Sequence, residues 1–323
     1  MRYHRLTQEE RYQIYALLKE GFSHSAIAKN IGKHRSSISR EIQRNKGQKG
    51  YRPKQAQVFT NIRESSKLKY KRLTKIHIEY IKEKIELDWS PEQISGRMRL
   101  DEMEAVSHET IYRYLVEDKS NGGKLYLHLR HKNKRYKRRY GSSDRRGQIA
   151  NKHSIEDRPS IVDNKQRIGD LEIDLVIGKH HKQALVTVVD RKSKFTLIKK
   201  ISNKKSSLVE IALIEMLLPL KKWIHTITSD NGKEFASHQT IASYLNIDYY
   251  FCHPYASWER GLNENTNGLI RQFFPKGSEF THITQAQIID AQNSLNYRPR
   301  KALGYKTPAE VFYATILELE SSA

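Results

Sequence analysis

Three acidic residues stand where a metal-dependent site could be built. Asp174 lies within an alternating segment that predicts a strand, Asp230 follows a short apolar segment that predicts another strand, and Glu264 lies in a predicted helix. Asp230 and Glu264 are separated by 33 residues. Phosphoryl transfer with two divalent ions about 4 Å apart needs several hard oxygen ligands. We therefore interpret the three acids as catalytic residues and metal ligands, with two ions of Mg²⁺ or Mn²⁺.

The predicted strand around Asp174 carries an unusual set of acids. Asp170, Glu172 and Asp174 share one face, because side chains alternate along a strand. Ordinary core packing does not explain three acids on one face, so at least one should be a ligand, and Asp174 is the most central. Glu259 is an alternative to Glu264, and Asp190 is interpreted as a turn residue that ends the next strand.

Basic and small residues near these acids suit a phosphodiester. Gly268 and Arg271 follow Glu264 by four and seven residues and share its helix face. The glycine would let a DNA backbone approach, and Arg271 would hold a phosphate. Arg298 and Lys301 are further candidate phosphate contacts, with a surface loop that caps the last helix as the alternative.

The charge is concentrated in the first half of the chain. The formal net charge is +22, of which +19 falls on residues 1–168 and +3 on residues 169–323. Release of counterions from a nucleic-acid backbone would favour binding to such a chain. A merely soluble basic surface is the alternative.

Composition excludes several classes of protein. The only cysteine is Cys252, so the chain can form neither an internal disulfide nor a cysteine-based zinc site. No segment approaches the roughly 18 apolar residues of a membrane span, and the start of the chain has no apolar core of signal-peptide length. We expect a cytoplasmic protein with no membrane partner.

Residues 7–45 predict three short helices in a helix-turn-helix arrangement. Thr7 and Ser23 can cap the first two helices, and Gly32 makes the turn before the third. Polar residues of the third helix would face DNA while its isoleucines face the core; a three-helix bundle for protein contacts is the alternative. The predicted DNA-binding residues are Arg35, Ser36, Ser37, Ser39, Arg40 and Arg44.

A second helix-turn-helix unit and a basic arm follow. Residues 73–115 contain three further amphipathic segments, and the basic segment 46–71 would bridge the two units along DNA. Residues 124–147 are densely basic and predict a flexible arm that orders on nucleic acid, with Arg138 and Arg139 as contacts. A solvated linker is the alternative.

The second half predicts an α/β domain. Residues 168–201 predict a three-strand meander, and helices and strands then alternate as far as a long helix over residues 257–274. The predicted architecture is multidomain, with all-α helix-turn-helix units followed by an α/β catalytic core. The predicted domains are residues 1–48, 49–120, a linker or arm at 121–165, and the core at 166–323.

The motifs resemble those of DDE transposases of the retroviral-integrase superfamily, specifically the bacterial insertion-sequence family called IS-thirty. The matching stretches cover most of the chain, and the last three together are highly specific. They are LTQEERYQIYALLKEG, SSISREIQRN, GDLEIDLVIG, TSDNGKEF, PYASWERGLNENTNGLIRQFFPKG and LNYRPRKALGYKTPAEVF. One departure concerns packing, because Leu171 stands where this family often has tryptophan.

The resemblance implies a ribonuclease-H-like core in which Asp174, Asp230 and Glu264 bind metal. It also implies cleavage at the ends of an element and direct joining of the 3′-hydroxyls to target DNA. The expected partners are double-stranded DNA, as transposon ends and target, and at least a second copy of the chain, in the bacterial nucleoid. A DNA-binding regulator with a non-catalytic core and a structure-selective nuclease of the same fold remain the alternatives.

Overall fold

The computed structural model describes residues 6–66, 73–130, 149, 151–181, 183–254 and 256–322. The chain divides into two compact units, Met1–Lys71 and Arg72–Ala323, and each is described by itself. Within its described residues, 6–66, the first unit holds four helices and a short antiparallel hairpin. Its elements are α1 (Gln8–Lys19), α2 (His24–Ile31), α3 (Arg35–Asn45), β1 (Lys46–Gly47), β2 (Gly50–Tyr51) and α4 (Pro53–Ser66).

Local signals set the helix limits of the first unit. Thr7 and Glu10 form the expected capping box at the start of α1, and Ser23 caps α2. Gly32 ends α2 with a φ of 69°, a left-handed conformation that glycine adopts without strain. These predictions are confirmed. Helix α4 was not predicted as a helix, and its Ala56 is fully buried in the core of this unit.

The second unit begins with three helices that surround their own apolar core. They are α5 (Lys75–Glu86), α6 (Pro91–Leu100) and α7 (His108–Ser120). Thr74, Ser90 and Ser107 cap them in that order, as side-chain acceptors for backbone N–H groups. The helices predicted for this segment are therefore confirmed.

A six-stranded mixed sheet forms the centre of the second unit, in the order β3-β8-β7-β4-β5-β6. Strands β4, β5 and β6 form the predicted antiparallel meander, whereas β7 and β8 run parallel to β4. The sheet consists of β3 (His153–Ser154), β4 (Asp170–Ile177), β5 (Ala184–Asp190), β6 (Thr196–Ile201), β7 (Thr226–Ser229) and β8 (Asp248–Phe251).

Helices cover both faces of this sheet. The remaining helices are α8 (Ser160–Asp163), α9 (Ser206–Leu217), α10 (His238–Leu245), α11 (Gly261–Phe273), α12 (Gln285–Asn296) and α13 (Pro308–Ser321). Apolar side chains of α9 and α10 pack on one face, and those of α11 and α12 pack on the other. Helix α12 was not predicted. In the part of the chain that the structure describes, no helix is both long and apolar enough to cross a membrane.

The three-helix group α5–α7 packs against the end of the chain. A side-chain atom added at Gly96 would lie 2.3 Å from the ring of Tyr305, so the helix and the ring are in close contact. Nε2 of Gln93 donates to the carbonyl of Pro299 at 2.8 Å. This packing places α5–α7 in the same compact unit as the sheet, and by contacts the chain divides after Lys71.

Candidate active site

Asp174 lies near the middle of β4, on the sheet face that α11 covers. The backbone N–H of Leu175 donates to its Oδ1 at 2.8 Å, and Nδ2 of Asn267 donates to its Oδ2 at 2.9 Å. Burial raises the pKa of Asp174, and the charge of Arg260 opposes that rise. The orientation of this carboxylate is therefore set partly by a residue of α11.

Asp230 directly follows β7, the parallel neighbour of β4. The backbone N–H of Gly232 donates to its Oδ1 at 2.9 Å, as in the turns that aspartate commonly opens. The side chains of Asp230 and Asp174 are each 25% exposed. Both carboxylates are thus held in place and still reachable from solvent.

One guanidinium joins the two aspartates. Nη1 of Arg260 lies 3.4 Å from Oδ2 of Asp174, and Nη2 lies 3.2 Å from Oδ2 of Asp230. Arg260 ends a short 3-10 helix that leads into α11, and its side chain is 12% exposed. Burial acts to lower the pKa of Arg260, but the charges of Asp174 and Asp230 outweigh it and raise that pKa.

Glu264 lies in the first turn of α11 and is exposed. Within the described residues, no group of three or more His, Cys, Asp or Glu side chains is arranged to hold a metal ion. Glu264 follows Arg260 by four residues and precedes Asn267 by three, so these positions follow one flank of the helix. The structure brings Asp174 and Asp230 together around the guanidinium of Arg260. Glu264 stays on the nearby flank of α11.

The chemistry of the two aspartates suits a hard divalent cation. Both present a carboxylate oxygen to the same positively charged group, and oxygen is the donor that Mg²⁺ and Mn²⁺ prefer. Asp174 and Asp230 therefore fit the first two positions of the predicted triad. The third position would require the Glu264 side chain to turn toward them from its flank of α11.

The other two acids of the strand face serve inside the fold. Asp170 is fully buried and accepts hydrogen bonds from Nε and Nη2 of Arg167 at 3.0 and 3.1 Å. Oε1 of Glu172 lies 2.6 Å from Nη1 of Arg191, and its Oε2 accepts from the backbone N–H of Asn263 at 3.2 Å. Only Asp174, of the three acids on this face, reaches the cluster with Asp230.

The two alternatives considered from the sequence are also engaged elsewhere. Both carboxylate oxygens of Glu259 bind His253, one at the backbone N–H and one at Nδ1, at 2.9 and 2.7 Å. Asp190 ends β5 and accepts from the backbone N–H of Ser193 at 2.6 Å and of Gly169 at 2.7 Å. The interpretation of Asp190 as a turn residue is confirmed.

The predicted phosphate contacts near the core have different surroundings. Arg271 donates to the carbonyl of Ile177 at 2.7 Å. Arg298 is 3% exposed, donates to Gln272 at 3.0 Å, and has a pKa lowered to about 10 by burial. Its guanidinium therefore packs inside the unit, unlike the surface loop considered as the alternative, and its phosphate contact stays a prediction. Lys301 is exposed and pairs with Glu92 at 2.7 Å.

The predicted DNA-binding residues of α3 are exposed or partly buried, whereas Ile38 of the same helix is fully buried. Within the described residues, none of the three arginines forms an ion pair with an acid, so their charges remain available to an outside anion. His34 caps the helix, and its Nδ1 lies 2.8 Å from Oγ of Ser36. The exposed arginines are Arg35, Arg40 and Arg44, and the partly buried serines are Ser36, Ser37 and Ser39.

The predicted basic arm is mostly outside the described residues, and both Arg138 and Arg139 fall there. Arg130, at the start of that arm, lies against α11, where a side chain at Gly268 would meet its Nη2 at 3.0 Å. The open space expected above Gly268 is thus taken by an arginine in this structure.

Three residues of the site were missed in the sequence. Arg260 and Asn267 contact the aspartates directly, and Asn263 fixes Glu172 through its backbone N–H. The signal that could have found them is their spacing, since they stand one turn before, one turn after and directly beside Glu264.

A cavity of about 420 Å³ lies on the opposite flank of α11. Several basic side chains line it, and neither Asp174 nor Asp230 does. Burial lowers the pKa of Lys194, one of these side chains, to about 8. The cavity is therefore separate from the two aspartates. It is lined by Lys165, Arg191, Lys194 and Arg300 together with Glu172 and Glu259, among others.

Comparison with known proteins identifies two matching domain families. Residues 2–45 match the family described as a helix-turn-helix domain, and residues 165–257 match the integrase core domain. The chain is 47% identical to the transposase for insertion sequence element IS4351 of Bacteroides fragilis, over 95% of each chain.

The transposase InsI for insertion sequence element IS30A of Escherichia coli is 36% identical, over 95% of this chain and 82% of that protein. The crystal structure of the catalytic core domain of BIV integrase covers 48% of this chain and 97% of its own, with a TM-score of 0.36 and 21% identity.

Proposed function

Because the chain belongs to the IS30 (IS-thirty) family of insertion-sequence transposases, which are polynucleotidyl transferases with an integrase core, we propose that it recombines DNA in two steps. It binds the terminal inverted repeats of an insertion sequence and cleaves at the element ends. It then joins the 3′-hydroxyls to target DNA. The observation that carries this proposal is that Asp174 and Asp230, from adjacent parallel strands, both contact the guanidinium of Arg260.

We infer that Asp174, Asp230 and Glu264 hold two divalent ions, Mg²⁺ or Mn²⁺. When bound, such ions neutralise the charge on the attacking and leaving oxygens of a phosphodiester. Asn267 fixes Oδ2 of Asp174, and the backbone N–H of Gly232 fixes Oδ1 of Asp230, so both carboxylates are oriented before the substrate arrives.

The DNA-binding roles are assigned to basic and polar side chains. Arg35, Arg40 and Arg44 of α3 are the proposed readers of the terminal repeat, with Ser36, Ser37 and Ser39 against the backbone. Arg138, Arg139 and Lys301 are proposed as phosphate contacts of the arm and the core, and Arg271 supports the end of β4. Residues 1–48, 49–120, 121–165 and 166–323 are the proposed domains for site recognition, second-site recognition, bridging and catalysis.

The reaction also determines the proposed assembly. Two element ends must be cut and joined to one target, so at least two protomers act together as a homodimer or a higher oligomer on double-stranded DNA. We place this assembly at the bacterial nucleoid, in the cytoplasm, because its substrate is chromosomal DNA.

The test is a strand-transfer assay with labelled terminal-repeat DNA and Mg²⁺, comparing the wild type with Glu264→Gln. Joined products from the wild type alone support the proposal. Cleavage without joining would support a nuclease, and binding without cleavage would support a DNA-binding regulator. Glu259→Gln is the matched control in the same segment. Loss of joining in that variant, with activity kept in Glu264→Gln, would transfer the metal-binding role to Glu259.

A further inference from the structure

The guanidinium of Arg260 occupies the space between the two catalytic aspartates. Each of its terminal nitrogens lies within 3.4 Å of a carboxylate oxygen, one on Asp174 and one on Asp230. Its Nε is buried and, within the described residues, has no hydrogen-bond partner. Nη1 also donates a long hydrogen bond, at 3.5 Å, to the backbone carbonyl of Ile173. The two carboxylates are the charged partners of the guanidinium.

A guanidinium and a divalent ion make the same demand on this pair of aspartates. Both are cations that need the facing oxygens, and two cations held by the same carboxylates repel each other strongly at short range. Arg260 stands at the junction of a 3-10 helix and α11, and its side chain is 12% exposed. A few backbone and side-chain torsions would carry the guanidinium away from the carboxylates.

We propose that Arg260 is the counter-ion of the metal-free site, and that its guanidinium leaves Asp174 and Asp230 when a divalent ion binds there. This inference rests on the proposed function, which assigns the two aspartates as metal ligands. Arg260 is thus a positioning residue: it holds two like charges close together in the absence of metal and competes with the ion for them.

The proposal predicts two effects of opposite sign in variants that remove the charge. In Arg260→Gln the metal-free protein is less stable, because two carboxylates then face each other without a cation. The same variant binds Mn²⁺ more tightly, by roughly tenfold or more, because no cation has to be displaced. A residue that serves packing alone would lower stability without improving metal affinity.

The experiment measures Mn²⁺ binding by titration calorimetry and the melting temperature with and without Mn²⁺, on the full chain. Arg260→Met is a second variant that removes the charge and keeps an unbranched side chain about as long as the Cβ–Nε part of arginine, for use if Arg260→Gln does not fold. Arg271→Gln is the matched control, because its guanidinium binds the backbone carbonyl of Ile177 rather than a carboxylate. We expect that control to melt lower by the same amount with and without Mn²⁺.

Asp230→Asn separates this inference from the assignment of the site. If Mn²⁺ binds the wild type and fails to bind Asp230→Asn, the site stands; unchanged or weaker Mn²⁺ binding in Arg260→Gln and Arg260→Met then overturns the role of Arg260 alone. If neither the wild type nor the Arg260 variants bind Mn²⁺, both the site and the inference fail. Tighter binding in the Arg260 variants that is lost on adding Asp230→Asn establishes the competition.

Discussion

Glu172 and Arg191 form an ion pair inside the sheet, with 2.6 Å between Oε1 and Nη1 and side chains that are 3% and 7% exposed. Glu172 also accepts from the backbone N–H of Asn263, in the first turn of α11. Burial raises the pKa of Glu172, and the charge of Arg191 opposes that rise. One buried carboxylate therefore attaches α11, which carries Glu264, to β4, which carries Asp174.

Removing one partner of this pair should be far more damaging than removing both. In Arg191→Met we expect the free energy of unfolding to fall by about 3–5 kcal/mol, because an uncompensated charge stays buried. The double variant with Glu172→Gln should recover part of that loss. Urea denaturation measures both, with the exposed Lys204→Met as the control for loss of one positive charge. A loss in Arg191→Met no larger than in the control would contradict this prediction.

Arg40 tests the recognition helix. If its guanidinium binds a base edge, Arg40→Ala should weaken binding to the terminal repeat by ~1–3 kcal/mol, with a smaller effect on unrelated DNA. Lys29→Ala, on α2 of the same unit, removes an exposed positive charge and should weaken both DNAs about equally. Fluorescence anisotropy at fixed salt compares the two. Equal losses on both DNAs in Arg40→Ala would reduce its role to a backbone contact.

The buried thiol of Cys252 should make the free energy of unfolding fall at alkaline pH. Burial raises the pKa of its thiol from 9.0 to about 12, so the native protein keeps a proton that the unfolded chain loses. The stabilising contribution is complete below pH 9 and disappears as pH rises from 9 to 12, at up to about 1.4 kcal/mol per pH unit. Denaturation at pH 8 and pH 10 should show a smaller decline in Cys252→Ala than in the wild type. Identical declines would mean that the thiol does not contribute.

Gly96 tests the packing of α6 on the end of the chain. An added methyl group would lie 2.3 Å from the ring of Tyr305, so Gly96→Ala should destabilise the protein by about 1–3 kcal/mol. Tyr305→Ala removes the obstructing ring, and the double variant should therefore lose less than the sum of the two single variants. Strict additivity in thermal denaturation would show that the two residues do not interact.

Local patterns in the sequence were sufficient for most elements. The capping boxes at Thr7 and Thr307 each join residues three positions apart. Acidic and apolar residues alternate along β4, a pattern that few structures other than a strand would explain. Asp174 and Asp230 could be assigned to one site from the sequence, because neighbouring parallel strands bring residues at or near their ends to one part of a sheet. Signals of this kind depend on spacing along the chain and are readable without a fold.

Other features depend on contacts between distant segments. Arg298 has the composition of a surface loop around it, yet its guanidinium packs over Phe273 and reaches Gln272. The sequence of helix α12 has only a weak separation of polar and apolar residues. Its Leu295 is buried because it packs against residues of β6 and α11, which are distant in sequence. Arg260 is ordinary in sequence, and its importance comes from two aspartates that lie 86 and 30 residues before it.

Because α5–α7 pack against the last residues of the second unit, their distance from Asp174 and Asp230 is fixed. Gln93 and Arg97 bind Pro299 and Glu310, across a sequence distance of more than 200 residues. DNA held by these helices would meet the aspartates at a separation set by packed protein rather than by a loose tether. Base pairs inserted between the bound repeat and the cleavage position would then abolish cleavage rather than shift the position at which the DNA is cleaved.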